Sequence, residues 1–186
     1  MTRLTGVQEQ SGRDARDEVD RLVEAWQRER PDLDVSPLRV LSRISRLAKH
    51  LDRARRAAFG AHDLEAWEFD VLAALRRAGP PYVLSPGQLV DRTLVTSGTM
   101  TNRIDRLQAG GLVERLPDPS DGRGVRVRLT PAGKARVDAA LADLLTHERS
   151  ILEVLEPADR DRLADLLRDL VHPFEATRTP VDSAGS

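Results

Sequence analysis

Residues 97–129, SGTMTNRIDRLQAGGLVERLPDPSDGRGVRVRL, decide the fold of this chain. The spacing of Met100, Ile104 and Leu107 predicts a helix over 97–109. Gly110-Gly111 supplies a left-handed exit from it. Two strands follow, over 112–116 and 125–129. The second alternates strictly, with Val125, Val127 and Leu129 on one face and Arg126 and Arg128 on the other. Between them, DPSDGRG is turn chemistry.

The helix over 97–109 has two distinct faces. At about 100° per residue from Met100, Ile104 and Leu107 fall within ~40° and form a buried stripe. Asn102, Arg106 and Thr99 fall opposite, flanked by Gly98 and Asp105. That outward face is short, polar and able to bond base edges or phosphates. Gly98 permits close approach, and the helix N-terminus favours a phosphate. Arg123 follows Asp121-Gly122 at the hairpin tip, where a protruding arginine can enter a narrow minor groove. The sequence therefore predicts a double-stranded DNA interface at Ser97, Gly98, Thr99, Thr101, Asn102, Arg106, Arg123 and Arg126. Arg103 differs, lying only ~60° from Met100 on the helical wheel. It is expected to point partly back into the protein and pair with a carboxylate.

Composition narrows the class further. The chain has 186 residues, enough for a real core, and is 40% hydrophobic but only 3% aromatic, so that core is aliphatic. No apolar run approaches the ~20 residues of a membrane span, and MTRLTGVQEQ lacks the apolar stretch of a secretory signal. With no cysteine, disulfides and thiol chemistry are excluded. These features suit a cytoplasmic protein. Net charge is −1, yet residues 92–128 hold seven arginines against four acids, or +3, which leaves −4 for the remainder. A local basic region on a near-neutral chain suits site-specific DNA binding better than bulk coating of nucleic acid.

The rest of the chain reads as helices. One covers about 13–28, with Leu22, Val23 and Trp26 on one side, and RPDLDVSP breaks it. Ser36-Pro37 caps a second helix to about Gly60, on which Val40, Ile44, Leu47, Leu51, Ala54 and Ala58 form a narrow stripe of coiled-coil type. His62-Asp63 opens a third, to Ala78, with its core side drawn from Leu64, Trp67, Phe69, Val71, Leu72 and Leu75. Tyr82–Leu84 can form a short strand, and Ser85-Pro86 starts a helix to about Arg92. After the hairpin, Thr130-Pro131 caps a helix to about Leu155, and a last helix runs to about Phe174. The fold class is mainly α with a small β-hairpin wing: a winged helix-turn-helix lobe plus a helical dimerisation region. The parts are a flexible tail at 1–12, N-terminal helices at 13–60, the DNA-binding lobe at 61–130, C-terminal dimerisation helices at 131–175, and a flexible tail at 176–186.

The order of elements, with Asp121, Arg123, Val127, Leu129, Thr130 and Gly133 as D-x-R-x-x-x-V-x-L-T-x-x-G, resembles the MarR family of winged-helix transcriptional regulators. The resemblance covers about residues 37–174. It implies a homodimer whose terminal helices intertwine and whose lobes read adjacent major grooves of a pseudo-palindromic operator, commonly as a repressor. WQRERPDLD (Trp26 to Asp34), WEFDVL (Trp67 to Leu72) and VTSGTMTNRIDRL (Val95 to Leu107) look like the urate-responsive, PecS/HucR-like branch. That likeness implies release by a small aromatic anion such as urate or a related purine. It also implies Trp26, Asp70, Arg92 and Arg103 as ligand-binding residues. A flat anion wants an aromatic face and a guanidinium fork. Trp67 is assigned to the core.

No catalytic constellation is visible. His50, His62, His147 and His172 show no metal-ligand spacing, and no phosphate-binding loop or nucleophile elbow appears. The sequence thus predicts no enzyme, no metal, no cofactor and no membrane. Two competing readings are a ligand-independent regulator and a winged-helix module that binds protein instead of DNA.

Overall fold

The computed structural model describes residues 16–119 and 121–176, with side chains for all of these except 121–123 and 176. The tail expected at 1–12, all of the tail expected at 176–186 beyond Ala176, and the side chain of Arg123 lie outside the described residues. The chain divides into two compact units between Arg55 and Arg56.

In the first unit, helix α1 spans Glu18–Glu29. Asp17 caps it by accepting from the amides of Val19 and Asp20 at 2.8 and 3.0 Å. Asp20 answers by accepting the Asp17 amide, completing a capping box. Val19 and Val23 are buried with Val35, and Leu38 packs against them. Spacing by four selects this stripe. The neighbouring Leu22 and Trp26, expected on the same side as Val23, face solvent instead. Helix α2 spans Leu38–Gly60. Its Arg43 reaches both Asp17 (2.9 Å) and Asp20 (2.8 Å), so one guanidinium ties α2 to the cap of α1. The apolar stripe of α2 stays uncovered at Val40 and Leu47.

The second unit is built around α3, Ala66–Arg77. Phe69 and every residue from Val71 to Leu75 are buried, the pattern of a helix surrounded by others. It packs on α4 (Pro86–Thr93), α6 (Pro131–Leu152) and the sheet. Phe59, at the end of α2, stacks on Phe69 with ring centroids 3.9 Å apart. The helix starts three to four residues later than the His62-Asp63 signal suggests. Asp63 takes a left-handed φ of 53°, so 61–63 form a turn, and the carboxylate of Glu68 instead accepts the Glu65 amide at 2.8 Å.

Helix α5 spans Ser97–Ala109, and Gly111 turns the chain out of it at φ 69°. The sheet has the order β1-β3-β2, all antiparallel. Strand β1 is Val83–Leu84, β2 Val113–Asp118 and β3 Asp121–Leu129. Pairing runs from Val113↔Leu129 to Asp118↔Asp121, so β3 begins four residues before the expected Val125. Part of the segment read as turn is therefore ladder, with an irregularity at Pro117/Asp118, where proline has no amide to give.

Thr130 joins β3 to α6. Its hydroxyl accepts the Gly133 amide (3.0 Å) and sits 2.8 Å from the Gly111 carbonyl oxygen, which it serves as donor. Val137, Ala140 and Leu144 of α6 enter the core. The final helix, α7, spans Pro157–Ala176. Its Leu166, Leu170, Val171 and Phe174 are all exposed. The observed class is the expected one, mainly helical with a small winged sheet.

Candidate nucleic-acid interface

Two short helices and a tight turn place the candidate reading surface. Ser85 caps α4, exchanging bonds with Gln88 at 2.9 and 3.2 Å. Leu94 then adopts φ 59° and turns the chain toward α5. Thr96 caps α5 by accepting the Thr99 amide at 3.4 Å. Met100, Ile104 and Leu107 are buried at 0, 1 and 0% exposure, which anchors α5 by the stripe its periodicity predicted. The opposite face therefore points outward, and Ser97, Gly98, Thr99, Thr101, Asn102 and Arg106 are all exposed. The Thr101 hydroxyl donates to the Ser97 carbonyl (3.2 Å), so in this state it offers a partner only its acceptor lone pairs.

Arginine chemistry around this face is organised by carboxylates and one indole. Arg106 Nη2 donates to Glu65 Oε1 at 2.6 Å. The indole N–H of Trp67 donates to the other oxygen, Glu65 Oε2, at 2.7 Å. The Arg106 guanidinium lies 4.7 Å from the centroid of Trp67 and that of Arg103 lies 5.4 Å from it. The Trp67 indole and the Arg106 guanidinium together hold the Glu65 carboxyl below the usual carboxylate range, so it stays ionised. Trp67, Gly98, Thr99, Asn102, Arg103 and Arg106 line one open depression of about 480 Å³.

On the wing, Arg126 Nε donates to Asp118 at 2.7 Å and Arg128 Nε to Glu114 at 2.7 Å. The first pair is diagonal across the hairpin and the second sits directly in register. Arg115 straps β2 to α5 through Gln108 (2.7 Å) and Asp105 (2.6 Å). Of the six arginines in residues 92–128 whose side chains are described, four, namely 106, 115, 126 and 128, are thus ion-paired within the lobe.

These positions refine the sequence reading. Arg103 does turn back toward the protein, but onto an aromatic face. Trp67 packs against the core as expected, yet it is only half-buried and carries two guanidiniums. Of Asp70, Arg92 and Arg103, which share the second unit, only Arg103 lines the depression. Asp70 and Arg92 are exposed on α3 and α4, and Trp26 on α1 is 47% exposed. Arg126, expected on DNA, is held by Asp118. The sequence does not single out Glu65 and assigns Trp67 to the core, whereas both meet Arg106 here. With α3 read as starting at 62–63, Glu65 fell inside its first turn; as the residue that opens the helix, it projects toward α5. Among the described residues, no group of three or more metal-binding side chains occurs, and no helix is long and apolar enough to cross a membrane.

The MarR family model matches residues 62–124, the segment that carries α3, α4, α5 and most of the wing. The HTH-type transcriptional regulator PecS of Dickeya dadantii (strain 3937) is 39% identical over 81% of this chain and 90% of its own length. The chain belongs to the MarR family. Family members are DNA-binding transcription regulators, not enzymes, and this lobe has their architecture. The structure of a mutant Escherichia coli MarR complexed with operator DNA superposes with TM-score 0.60 at 29% identity, covering 75% of this chain and 99% of that one. The Bordetella bronchiseptica BpsR structure, described as a mechanism for regulation of DNA binding by 6-hydroxynicotinic acid, matches at TM-score 0.53 and 31% identity. It covers 69% of this chain and 98% of that one.

Proposed function

We propose that this MarR-family regulator acts in the cytoplasm as a homodimeric, sequence-specific repressor, released from a pseudo-palindromic operator by a small aromatic anion of the urate or purine type. The observation that carries the DNA reading is the two-sided α5: Met100, Ile104 and Leu107 are buried while Gly98, Thr99, Asn102 and Arg106 face out. A second copy is the partner that fits the uncovered Leu141 and Leu145 of α6 and Leu166 and Leu170 of α7, because covering apolar surface contributes ~25 cal/mol per Å². Half-sites then lie about one helical turn apart.

The ligand reading rests on chemistry and on likeness. Arg103 offers a guanidinium beside an indole face and an open depression, a combination suited to a planar anion. The similarity to PecS, and the aromatic acid named for BpsR, favour that ligand class. Trp26, Asp70 and Arg92 join the proposal through the family resemblance. A ligand that loosens DNA must itself be loosened by DNA.

The test is a gel shift on the chain's own upstream intergenic duplex, with and without urate. The expected result is a specific complex that urate dissolves. A complex equally strong on random duplex would overturn the DNA reading; a specific complex indifferent to urate would overturn the purine-type effector.

A further inference from the structure

Arg106 is not a loose cation on the reading face. One of its N–H groups is held by Glu65 at 2.6 Å, and its plane lies near the Trp67 indole at 4.7 Å. Glu65 is fixed in turn by the Trp67 N–H at 2.7 Å. The guanidinium has five donors in a rigid fork, so the Glu65 contact leaves others available. A held arginine has already given up rotamer freedom that a free one must lose on gripping a base. The carboxylate also cancels much of the charge that would draw Arg106 to a phosphate. It does not cancel the dipolar match to the O6 and N7 acceptors of a guanine.

We infer that Glu65 and Trp67 are positioning residues that aim Arg106 at a base edge, and so determine operator specificity without touching DNA. This rests on the reading of α5 as the DNA-binding helix. Glu65 lowers overall affinity, because its charge repels the phosphates, and raises discrimination, because Arg106 is withdrawn from sequence-blind contacts. The arrangement exchanges strength for selectivity.

The experiment selects duplexes from a randomised pool, about 20 base pairs long to hold two half-sites. It uses the full chain as wild type, Glu65→Ala, Glu65→Gln, Trp67→Phe, Arg106→Ala and Glu65→Ala/Arg106→Ala. Arg106→Ala identifies the base pair at which preference is lost. Glu65→Ala is expected to lose preference at that same base pair, by roughly five- to tenfold, and to bind random duplex more tightly than wild type. Glu65→Gln and Trp67→Phe, which keep part of the contact, are expected to fall between. The double variant is expected to be no less selective than Arg106→Ala alone. Full preference at that base pair in Glu65→Ala overturns the inference, and so does an even loss at every position. Glu65→Gln controls for folding, since it retains an oxygen acceptor for the indole. A wild-type chain that selects no motif overturns the DNA reading itself, an outcome distinct from any difference among the variants.

Discussion

Gly133 stands so close to the backbone of Leu112 that a Cβ added to it would lie 2.1 Å from the Leu112 carbonyl oxygen. The contact joins the first turn of α6 to the start of the wing. It gives the glycine of the L-T-x-x-G signature a steric cause: the obstruction is main chain, which cannot swing aside. Gly133→Ala is expected to destabilise the fold by about 1–3 kcal/mol, despite alanine's better helix propensity. Urea unfolding checks this, as a lower midpoint at an unchanged slope.

Gly98 is the opposite case. Nothing lies within 4 Å of the Cβ it would gain, and it occupies the first turn of α5. Gly98→Ala is expected to raise stability by up to ~1 kcal/mol. The added methyl projects from the outward face, so operator affinity is expected to fall. Thermal melting and a gel shift on one preparation test both signs.

Much of this lobe was legible in the sequence because its signals are local. The buried stripe of α5, the caps at Ser85 and Thr130, and the alternation in β3 each depend on residues within a turn or two. The start of α3 was not legible, because a left-handed Asp63 and an acid at 65 answered by another at 68 compete with the simpler His62-Asp63 signal. The partners of Arg103, Arg106 and Arg126 were obscure for another reason. Arg106 meets Glu65 across 41 positions of sequence, and periodicity carries no information about such pairs.

Arg76 of α3 donates to Asp138 of α6 at 2.7 Å, and Lys134 adds a second contact at 3.0 Å. Arg76 first, then Lys134, hold the Asp138 carboxyl below its ordinary value of 3.8 against the opposing effect of burial. A lowered folded pKa means the contribution is present above about pH 4 and is lost as pH falls through the folded value. Asp138→Asn is expected to lower Tm at pH 7, with the gap to wild type closing below about pH 4. A constant gap across that range would exclude the ion pair as the cause.

The uncovered leucines make an oligomerisation prediction. Leu166 and Leu170 lie on α7 at 53 and 47% exposure. Leu166→Asp combined with Leu170→Asp is expected to convert a dimer to a monomer in sedimentation velocity. The circular dichroism of the lobe should persist, because neither residue enters its core.

Ligand binding is checked by fluorescence. The chain has two tryptophans, Trp26 and Trp67. Urate is expected to quench the emission of the wild-type chain after correction for absorbance, and Trp26→Phe is expected to weaken that quenching. Arg103→Ala is expected to abolish both that quenching and urate-driven release from DNA. Release that survives in Arg103→Ala would remove this arginine from the switch.

A single residue, Thr130, separates the end of β3 from the start of α6, and its hydroxyl ties the first turn of α6 at Gly133 to the turn before β2 at Gly111. β1 holds the same strand along its other edge. On its β3 side the hairpin consequently has no hinge at the root, since hinges need loop residues free to change φ and ψ. It works as a lever cast in one piece with the helix behind it. If two such levers straddle a duplex, their span can be reset only by swinging each whole lobe, so a strut inserted anywhere along α6 would retune the reach of both tips.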